Sequence, residues 1–314
     1  MTTRHLVDPD LLMLVDLFPA GPITQENLAE TRAAMDARFD DLPRPAIAPV
    51  RHFAPGRDGA PDVPLLVYDP GGVGLRAAIL HIHGGGMISG RPELTVFGSA
   101  PIALGLGLVV ISVEYRLAPE VPFPGPQEDC YAALDWVHAQ AAALRIDPAR
   151  IAVSGDSAGG GLAAALTLMA RDRGGPRIAA QLLTYPMLDP RTGGPDDPYR
   201  NPVAGEFLWT RDRNCFGWQA LRGTAPIDPA QLGWFAPALA SDLSDLPPAF
   251  IGTGALDLFV DENLDYARRL IAAGVAVDLH CYPGAVHGFN ALPKARVTAR
   301  FNADYAHALA LLIA

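Results

Sequence analysis

From about residue 62 onward, two kinds of segment alternate regularly along the chain. Short apolar runs rich in β-branched residues alternate with longer stretches, rich in Ala and Leu, that have helical spacing. Such an alternation predicts an α/β fold with a mostly parallel central sheet flanked by helices. The predicted strands are Val63–Tyr68, Ala77–His83, Leu108–Tyr115, Ile151–Gly155, Ala179–Tyr185, Ala249–Thr253 and Val275–Tyr282. The predicted helices are Thr95–Leu106, Gln127–Leu144, Ala158–Arg171, Asp261–Ala273 and Val297–Ile313.

Two segments depart from this alternation. Residues 1–45 have the pattern of one or two amphipathic helices, and residues 189–246, rich in Pro, Gly, Trp and Phe, interrupt the alternation between two strands. A long excursion from a compact domain is more often a functional lid than an idle loop. We therefore expect 1–45 and 189–246 to form a helical cap over a core of 46–188 and 247–314. A surface embellishment without a role in binding is the alternative.

Composition restricts the classes of partner. Half of the 314 residues are hydrophobic and 18% are charged, which is typical of a globular chain with a large core. The net charge of −10, without a dense basic cluster, argues against a nucleic-acid partner. The only lysine, Lys294, follows a proline, so the chain has no Walker A loop for a nucleotide.

The cysteines and the apolar runs bear on location. Cys130, Cys215 and Cys281 are far apart and lack C-x-x-C spacing, which favours free thiols in a reducing compartment. The apolar run 11–18 is broken by an aspartate and preceded by two more, unlike a signal peptide. The run 102–113 is too short to span a bilayer. We expect a cytoplasmic protein without stable membrane insertion.

A G-x-S-x-G motif occupies residues 155–159, between a predicted strand and a predicted helix. This is the context in which the motif forms a tight elbow, where the glycines leave room and the serine hydroxyl is exposed at the start of a helix. The motif predicts Ser157 as a nucleophile. The alternative is a glycine-rich turn with an ordinary N-cap serine.

A second glycine-rich motif, His83-Gly84-Gly85-Gly86, directly follows a predicted strand. Bare glycines allow backbone N–H groups to converge on one point, as in an oxyanion hole for a tetrahedral intermediate. We expect the amides of Gly85, Gly86 and Ala158 to form this hole, with His83 and Gly84 supporting the motif. A plain glycine-rich turn is the alternative.

A serine nucleophile needs a base, and a histidine base needs a carboxylate to fix its tautomer. His287 lies in a loop just after the last predicted strand, at the edge where a parallel sheet gathers its active site. Its partner should precede it in the order Ser, Asp, His, and Asp257 ends a strand and turn at the same edge. Asp261 and Glu262 are alternatives, although both are also suited to the start of a helix. No cluster with metal-ligand spacing accompanies His81 and His83, so we expect no metal.

Taken together, these motifs resemble the bacterial hormone-sensitive-lipase family (family IV) of α/β-hydrolase esterases. The resemblance covers about residues 65 to 290. It also rests on residues 114–120, on 122–124, on the Glu-Asp pair at 128–129, and on Tyr-Pro-Met-Leu-Asp at 185–189.

The family hydrolyses carboxylic esters, usually with short to medium acyl chains, through a catalytic triad and without a cofactor. By resemblance, Ser157, Asp257 and His287 form the triad, Arg116 pairs with Asp129 to stabilise a loop, and the substrate is a small-molecule ester. A homodimer is compatible with the family, although no segment of the chain requires one. Amidases or formamidases on the same fold would share every catalytic residue. A receptor-like binding protein of this fold would lack the triad histidine, which this chain has.

The chain departs from the family pattern at two places. The frequent Asp-Pro-Leu-Arg-Asp-Glu is here Asp-Leu-Phe-Val-Asp-Glu at 257–262, which adds apolar side chains beside the site. Residues 207–209 and 216–218 resemble the aromatic cap helices of the family, but the tyrosine often found just after them is Ala220. Substrate preference is therefore the least transferable property.

Overall fold

The computed structural model describes residues 2–18, 21–40 and 45–313, and its centre is an eight-stranded sheet. The expectations for positions 1, 19–20, 41–44 and 314 lie outside the described residues. The order along the sheet is β1-β2-β4-β3-β5-β6-β7-β8. Strand β2 pairs antiparallel with β1 and with β4, and all the other pairs are parallel. The strands are β1 Val50–Ala54, β2 Val63–Tyr68, β3 Arg76–Ile82, β4 Val109–Val113, β5 Ile146–Asp156, β6 Gln181–Thr184, β7 Ala249–Gly254 and β8 Val277–Tyr282.

Helices cover both faces of the sheet, as the alternation predicts. Buried side chains of α4, α5 and α8 belong to one hydrophobic cluster, and those of α3 and α9 belong to the other. Side chains of β3 alternate between the clusters, Leu80 and Ile82 in the first and Ala77 and Ile79 in the second. The helices are α1 Leu12–Leu17, α2 Leu28–Asp40, α3 Ser99–Gly105, α4 Gly125–Ala139, α5 Ala158–Asp172, α6 Arg211–Arg222, α7 Leu232–Phe235, α8 Val260–Ala272 and α9 Arg296–Leu312.

The structure differs from the predicted elements at three places. Strand β1 was not predicted, because its edge position leaves most of it exposed and removes the apolar pattern. The helix predicted over Thr95–Leu106 is instead a 3₁₀ segment and α3, separated at Gly98, whose ψ of −112° is not helical. Residues 207–209 lie outside helices, so of the two aromatic segments only 216–218 is helical, within α6.

The parallel strands direct the candidate functional residues to one edge of the sheet. The His83 motif follows β3, Ser157 follows β5, Asp257 follows β7, and the loop with His287 follows β8. All four strands run in the same direction, so their carboxyl ends meet at this edge, where parallel sheets bind ligands.

The N-terminal segment is tied to this edge by polar contacts. Arg32 of α2 donates hydrogen bonds to the carbonyl oxygens of Ile88 (2.6 Å) and Ala118 (2.8 Å) and pairs with Glu120. The backbone N–H of Asp8 donates to the carbonyl of Gly284, 2.9 Å away, in the loop that leads to His287. This segment, for which one or two helices are predicted, therefore contacts the loops of the candidate site at Asp8 and in α2.

Two other expectations can be compared with the structure. The guanidinium of Arg116 and the carboxylate of Asp129 lie 2.7 Å apart, which confirms the predicted pair. In the ranges that the structure describes, no helix is both long and apolar enough to cross a membrane.

Candidate active site

Ser157 lies at the elbow between β5 and α5 in a strained backbone conformation. Its φ of 58° and ψ of −120° are rarely adopted by a residue with a side chain. The elbow is possible because Gly159 lies directly against the carbonyl of Ile82, where a Cβ would overlap the oxygen. The Ser157 N–H donates to the carbonyl of Thr184 (2.9 Å), and its own carbonyl accepts from the N–H of Met187 (2.9 Å). These bonds hold the hydroxyl at the start of α5.

The structure brings Ser157, His287 and Asp257 into one hydrogen-bonded line. Nε2 of His287 lies 2.9 Å from Oγ of Ser157, and Nδ1 lies 2.8 Å from Oδ2 of Asp257. The other carboxylate oxygen of Asp257 accepts from the backbone N–H of Phe259 at 3.0 Å. Asp257 is fully buried, and the hydrogen bond from this N–H fixes the orientation of its carboxylate. A serine, an imidazole and a carboxylate in this order can transfer a proton from the hydroxyl.

The two alternative acids lie elsewhere. Asp261 accepts a hydrogen bond from the side-chain amide of Asn201 (2.8 Å). Glu262 is buried, accepts from the N–H of Leu188 at 2.7 Å and is hydrogen-bonded to the hydroxyl of Thr192. Neither of these contacts involves His287, so the geometry favours Asp257.

The buried position of Glu262 leads to a prediction on stability. Burial holds the pKa of this carboxyl well above its usual range, and the nearby charge of Asp189 acts in the same direction. The unfolded chain releases the proton near pH 4.3, whereas the folded chain keeps it to a higher pH, so stability falls as the pH rises above about 4.3. Glu262→Gln cannot ionise and keeps an oxygen for the N–H of Leu188. We expect the melting temperature of Glu262→Gln, relative to that of the wild type, to increase as the pH rises.

The measurement is thermal unfolding of both proteins in steps from about pH 5 to about pH 9. Parallel melting curves over this range would show that Glu262 is not the group responsible. Glu128→Gln, which replaces a partly exposed carboxylate that pairs with Arg173, is the matched control.

The His83 motif forms a tight turn beside Ser157. Gly85 and Gly86 have positive φ values of 124° and 62°, which favour glycine. The carbonyl of Gly85 accepts from the N–H groups of Ile88 (3.1 Å) and Ser89 (3.0 Å). Ala158 begins α5, and N–H groups in the first turn of a helix have no acceptor within the helix. Such a set of amides is suited to an anionic oxygen.

His83 supports this turn as a neutral ring. Burial lowers its pKa to about 4. Its Nδ1 lies 2.8 Å from the carbonyl of Gly84, and because that oxygen can only accept, Nδ1 carries the proton. The ring stacks on Tyr115, whose hydroxyl donates to the carbonyl of His83 at 3.0 Å. The imidazole therefore braces the backbone of the turn.

Aromatic rings surround the imidazole of His287. The ring centroids of Tyr185 and Phe259 lie 4.7 Å and 5.3 Å from that of His287. The Tyr185 hydroxyl donates to Oδ1 of Asn290 at 2.6 Å. The Asn290 contact was missed by the sequence analysis, and the only signal for it was its position three residues after His287.

His81 has a structural partner beneath the elbow. Its Nε2 lies 3.0 Å from Oδ2 of Asp156, and the ring is fully buried. The carboxylate of Asp156 is thus paired with His81, whereas the two ring nitrogens of His287 are hydrogen-bonded to Asp257 and Ser157.

Comparison with known proteins finds relatives in sequence and in fold. A family model described as alpha/beta hydrolase fold matches residues 79–291. The carboxylesterase NlhH of Mycobacterium tuberculosis is 37% identical over 305 residues, which cover 91% of this chain and 89% of the relative. An ethyl acetate hydrolase of Pseudomonas putida is 35% identical, and the matched region covers 77% of this chain and 71% of the relative. A solved structure of a bacterial heroin esterase, 38% identical, superposes with a TM-score of 0.88 over 100% of both chains.

Proposed function

This chain belongs to the α/β hydrolases, within them to the carboxylic ester hydrolases of hormone-sensitive-lipase type, and we propose that it acts through an acyl-enzyme formed on Ser157. The observation that carries the proposal is the continuous line of hydrogen bonds from Ser157 through His287 to Asp257. The proposed substrates are small-molecule esters with short to medium acyl chains.

In the proposed first half-reaction, Nε2 of His287 takes the proton of the Ser157 hydroxyl while Oγ attacks the ester carbonyl carbon. The carbonyl oxygen becomes an anion that the amides of Gly85, Gly86 and Ala158 stabilise. Asp257 accepts a hydrogen bond from Nδ1–H and stabilises the imidazolium. The tetrahedral intermediate collapses when His287 returns the proton to the leaving oxygen, which releases the alcohol and leaves the acyl group on Ser157.

The second half-reaction repeats these roles with water in place of the alcohol. His287 takes a proton from water, and the resulting hydroxide attacks the acyl carbon. The same amides stabilise the second oxyanion. Collapse breaks the bond between the carbonyl carbon and Oγ, and the imidazolium gives its proton back to Ser157 as the carboxylic acid leaves.

We also propose that residues 1–45 and 189–246 form the cap of this site, over a core of 46–188 and 247–314. Two contacts support this role for the N-terminal part. Arg32 contacts the loop after the His83 motif, and Asp8 contacts the loop before His287. The hydroxyls of Thr2 and Thr3 donate hydrogen bonds to the carboxylate of Glu206, each at 2.5 Å, and join the two parts to each other.

The proposed function is tested by hydrolysis of a p-nitrophenyl ester series of increasing acyl length, with the matched p-nitroanilides measured in parallel. We expect turnover of the shorter esters and much slower turnover of the anilides. Anilides cleaved as fast as their matched esters would instead assign the chain to the amidases of this fold.

A further inference from the structure

Residues 204–209, here called the crossing segment, contact the loops that carry Asp257 and His287 and the turn of the His83 motif. The N–H of Gly205 donates to the carbonyl of Leu256 at 3.1 Å, directly before Asp257. Leu208 lies against Gly288, directly after His287, and the indole of Trp209 lies against Gly86 of the oxyanion turn. The crossing segment therefore links the loops of Asp257 and His287 to the turn of the His83 motif.

The crossing segment is held in a fixed path. Leu208 has a positive φ of 58°, and its carbonyl accepts from the guanidinium of Arg213 at 2.5 Å. Glu206 is hydrogen-bonded to the N-terminal threonines described above. A residue with a positive φ needs support from its surroundings, and these contacts provide it.

The indole of Trp209 occupies a defined place in the site. Its six-membered ring lies so close to Gly86 that a Cβ there would overlap it, and it also contacts Gly217 of α6. The ring centroids of Trp209 and His287 are 6.3 Å apart, with the planes inclined by 37°. The indole thus lies beside both Gly86 and the imidazole of His287.

A buried chain of hydrogen bonds orients this indole. Nε1 of Trp209 donates to Oδ1 of Asn214 at 3.2 Å, and Nδ2 of Asn214 donates to the carbonyl of Thr192 at 2.7 Å. The Thr192 hydroxyl is in turn bonded to Glu262 of α8. All of these side chains are at most 5% exposed, so the indole is anchored to the core and not only to the cap.

We propose that Trp209 is the specificity-determining wall for the alcohol part of the ester, with Asn214 as its positioning residue. This inference rests on the proposed function. In the tetrahedral intermediate the carbonyl oxygen points to the oxyanion amides, and the leaving oxygen must lie within hydrogen-bond reach of Nε2 of His287. The indole lies beside both Gly86 and His287, so it borders the alcohol part, which is bonded to the leaving oxygen. The acyl chain extends from the carbonyl carbon in another direction. Trp209 therefore selects esters of small, unbranched alcohols.

The test compares two series of substrates in the wild type and in Trp209→Ala. The first series varies the alcohol of an acetate ester (ethyl, tert-butyl, benzyl), and the second varies the acyl chain of an ethyl ester (acetate, butyrate, hexanoate). We expect kcat/KM for tert-butyl and benzyl acetate, relative to ethyl acetate, to rise by about tenfold or more in the variant. The ratios within the acyl series should change by less than about threefold.

Two further variants serve as controls. Trp209→Phe keeps an aromatic ring and should give a shift in the same direction that is smaller than that of Trp209→Ala. Trp234 is a cap tryptophan whose indole N–H donates to Asp172 at 2.7 Å on the far end of α5, so Trp234→Ala should leave both series of ratios as in the wild type.

The possible outcomes separate this inference from the proposed function. If the wild type hydrolyses the esters but Trp209→Ala keeps the alcohol ratios, or changes the acyl ratios as strongly, the inference is wrong and the proposed function stands. If the wild type hydrolyses no ester of either series, the proposed function fails, and the inference fails with it. If Trp209→Ala does not fold, the alcohol series is measured on Trp209→Phe instead. A rise in the relative kcat/KM for tert-butyl and benzyl acetate supports the inference, and unchanged ratios refute it.

Discussion

Replacing Ser157 with alanine is expected to lower kcat for ester hydrolysis by a factor of about 10³ to 10⁶, because it removes the hydroxyl that is hydrogen-bonded to Nε2 of His287. The fold should survive, since alanine has the same Cβ as serine and meets the same backbone constraint at φ 58°. The measurement is the steady-state rate on p-nitrophenyl acetate together with the melting temperature. An unchanged melting temperature with the rate lost would separate chemistry from stability.

Ser154 provides a matched control for this variant, because it lies on β5, three residues before Ser157. Its hydroxyl is buried and hydrogen-bonded to that of Tyr305 at 2.9 Å. Ser154→Ala should therefore cost about 1 kcal/mol of stability and leave the rate near that of the wild type. Substantial activity in a pure sample of Ser157→Ala would refute the nucleophile assignment.

The second large effect is expected for Asp257→Asn, with kcat lower by about 10⁴-fold. The N–H of Phe259 points at one oxygen of Asp257, so the amide oxygen of an asparagine would take that place. Its NH₂ group would then face Nδ1 of His287 and donate to it. This stabilises the tautomer with the proton on Nε2, which cannot accept the proton of Ser157.

Asp261→Asn is the matched control, since it neutralises a neighbouring carboxylate that contacts Asn201 and not His287. Its rate should stay within about threefold of the wild type, in the range of surface changes away from the reacting groups. The rates of both variants on the same ester decide the assignment. A near-normal Asp257→Asn together with a large loss in Asp261→Asn would transfer the role of the acid to Asp261.

The sheet could be predicted from the sequence because its strands are short apolar runs with clear breaks, and such local patterns carry their own signal. Strand β1 could not, because an exposed edge strand needs no apolar face and is stabilised by pairing with β2. The break at Gly98 also escaped prediction. The tertiary contacts of a residue decide such a break more than its helix propensity does.

The candidate site was predictable where the chemistry requires a particular residue at a particular point of a strand-and-loop pattern. Ser157 and the oxyanion glycines belong to such patterns. The position of Asp257 at the end of a strand and turn already favoured it over Asp261. Its contact with His287, which depends on how two loops meet, then distinguishes the two carboxylates. The contact of Trp209 with Gly86 joins residues more than a hundred positions apart, and no local pattern encodes it.

Labelling with a p-nitrophenyl phosphonate ester tests whether Ser157 is the nucleophile that becomes covalently acylated. The reagent phosphonylates an activated serine and releases p-nitrophenol, and mass spectrometry of the digested protein locates the adduct. We predict one adduct per chain, on the peptide that contains Ser157, formed in proportion to the loss of esterase activity and absent in Asp257→Asn over the same time. Complete inactivation with Ser157 unmodified, or with the adduct on another residue, would show that Ser157 is not the nucleophile.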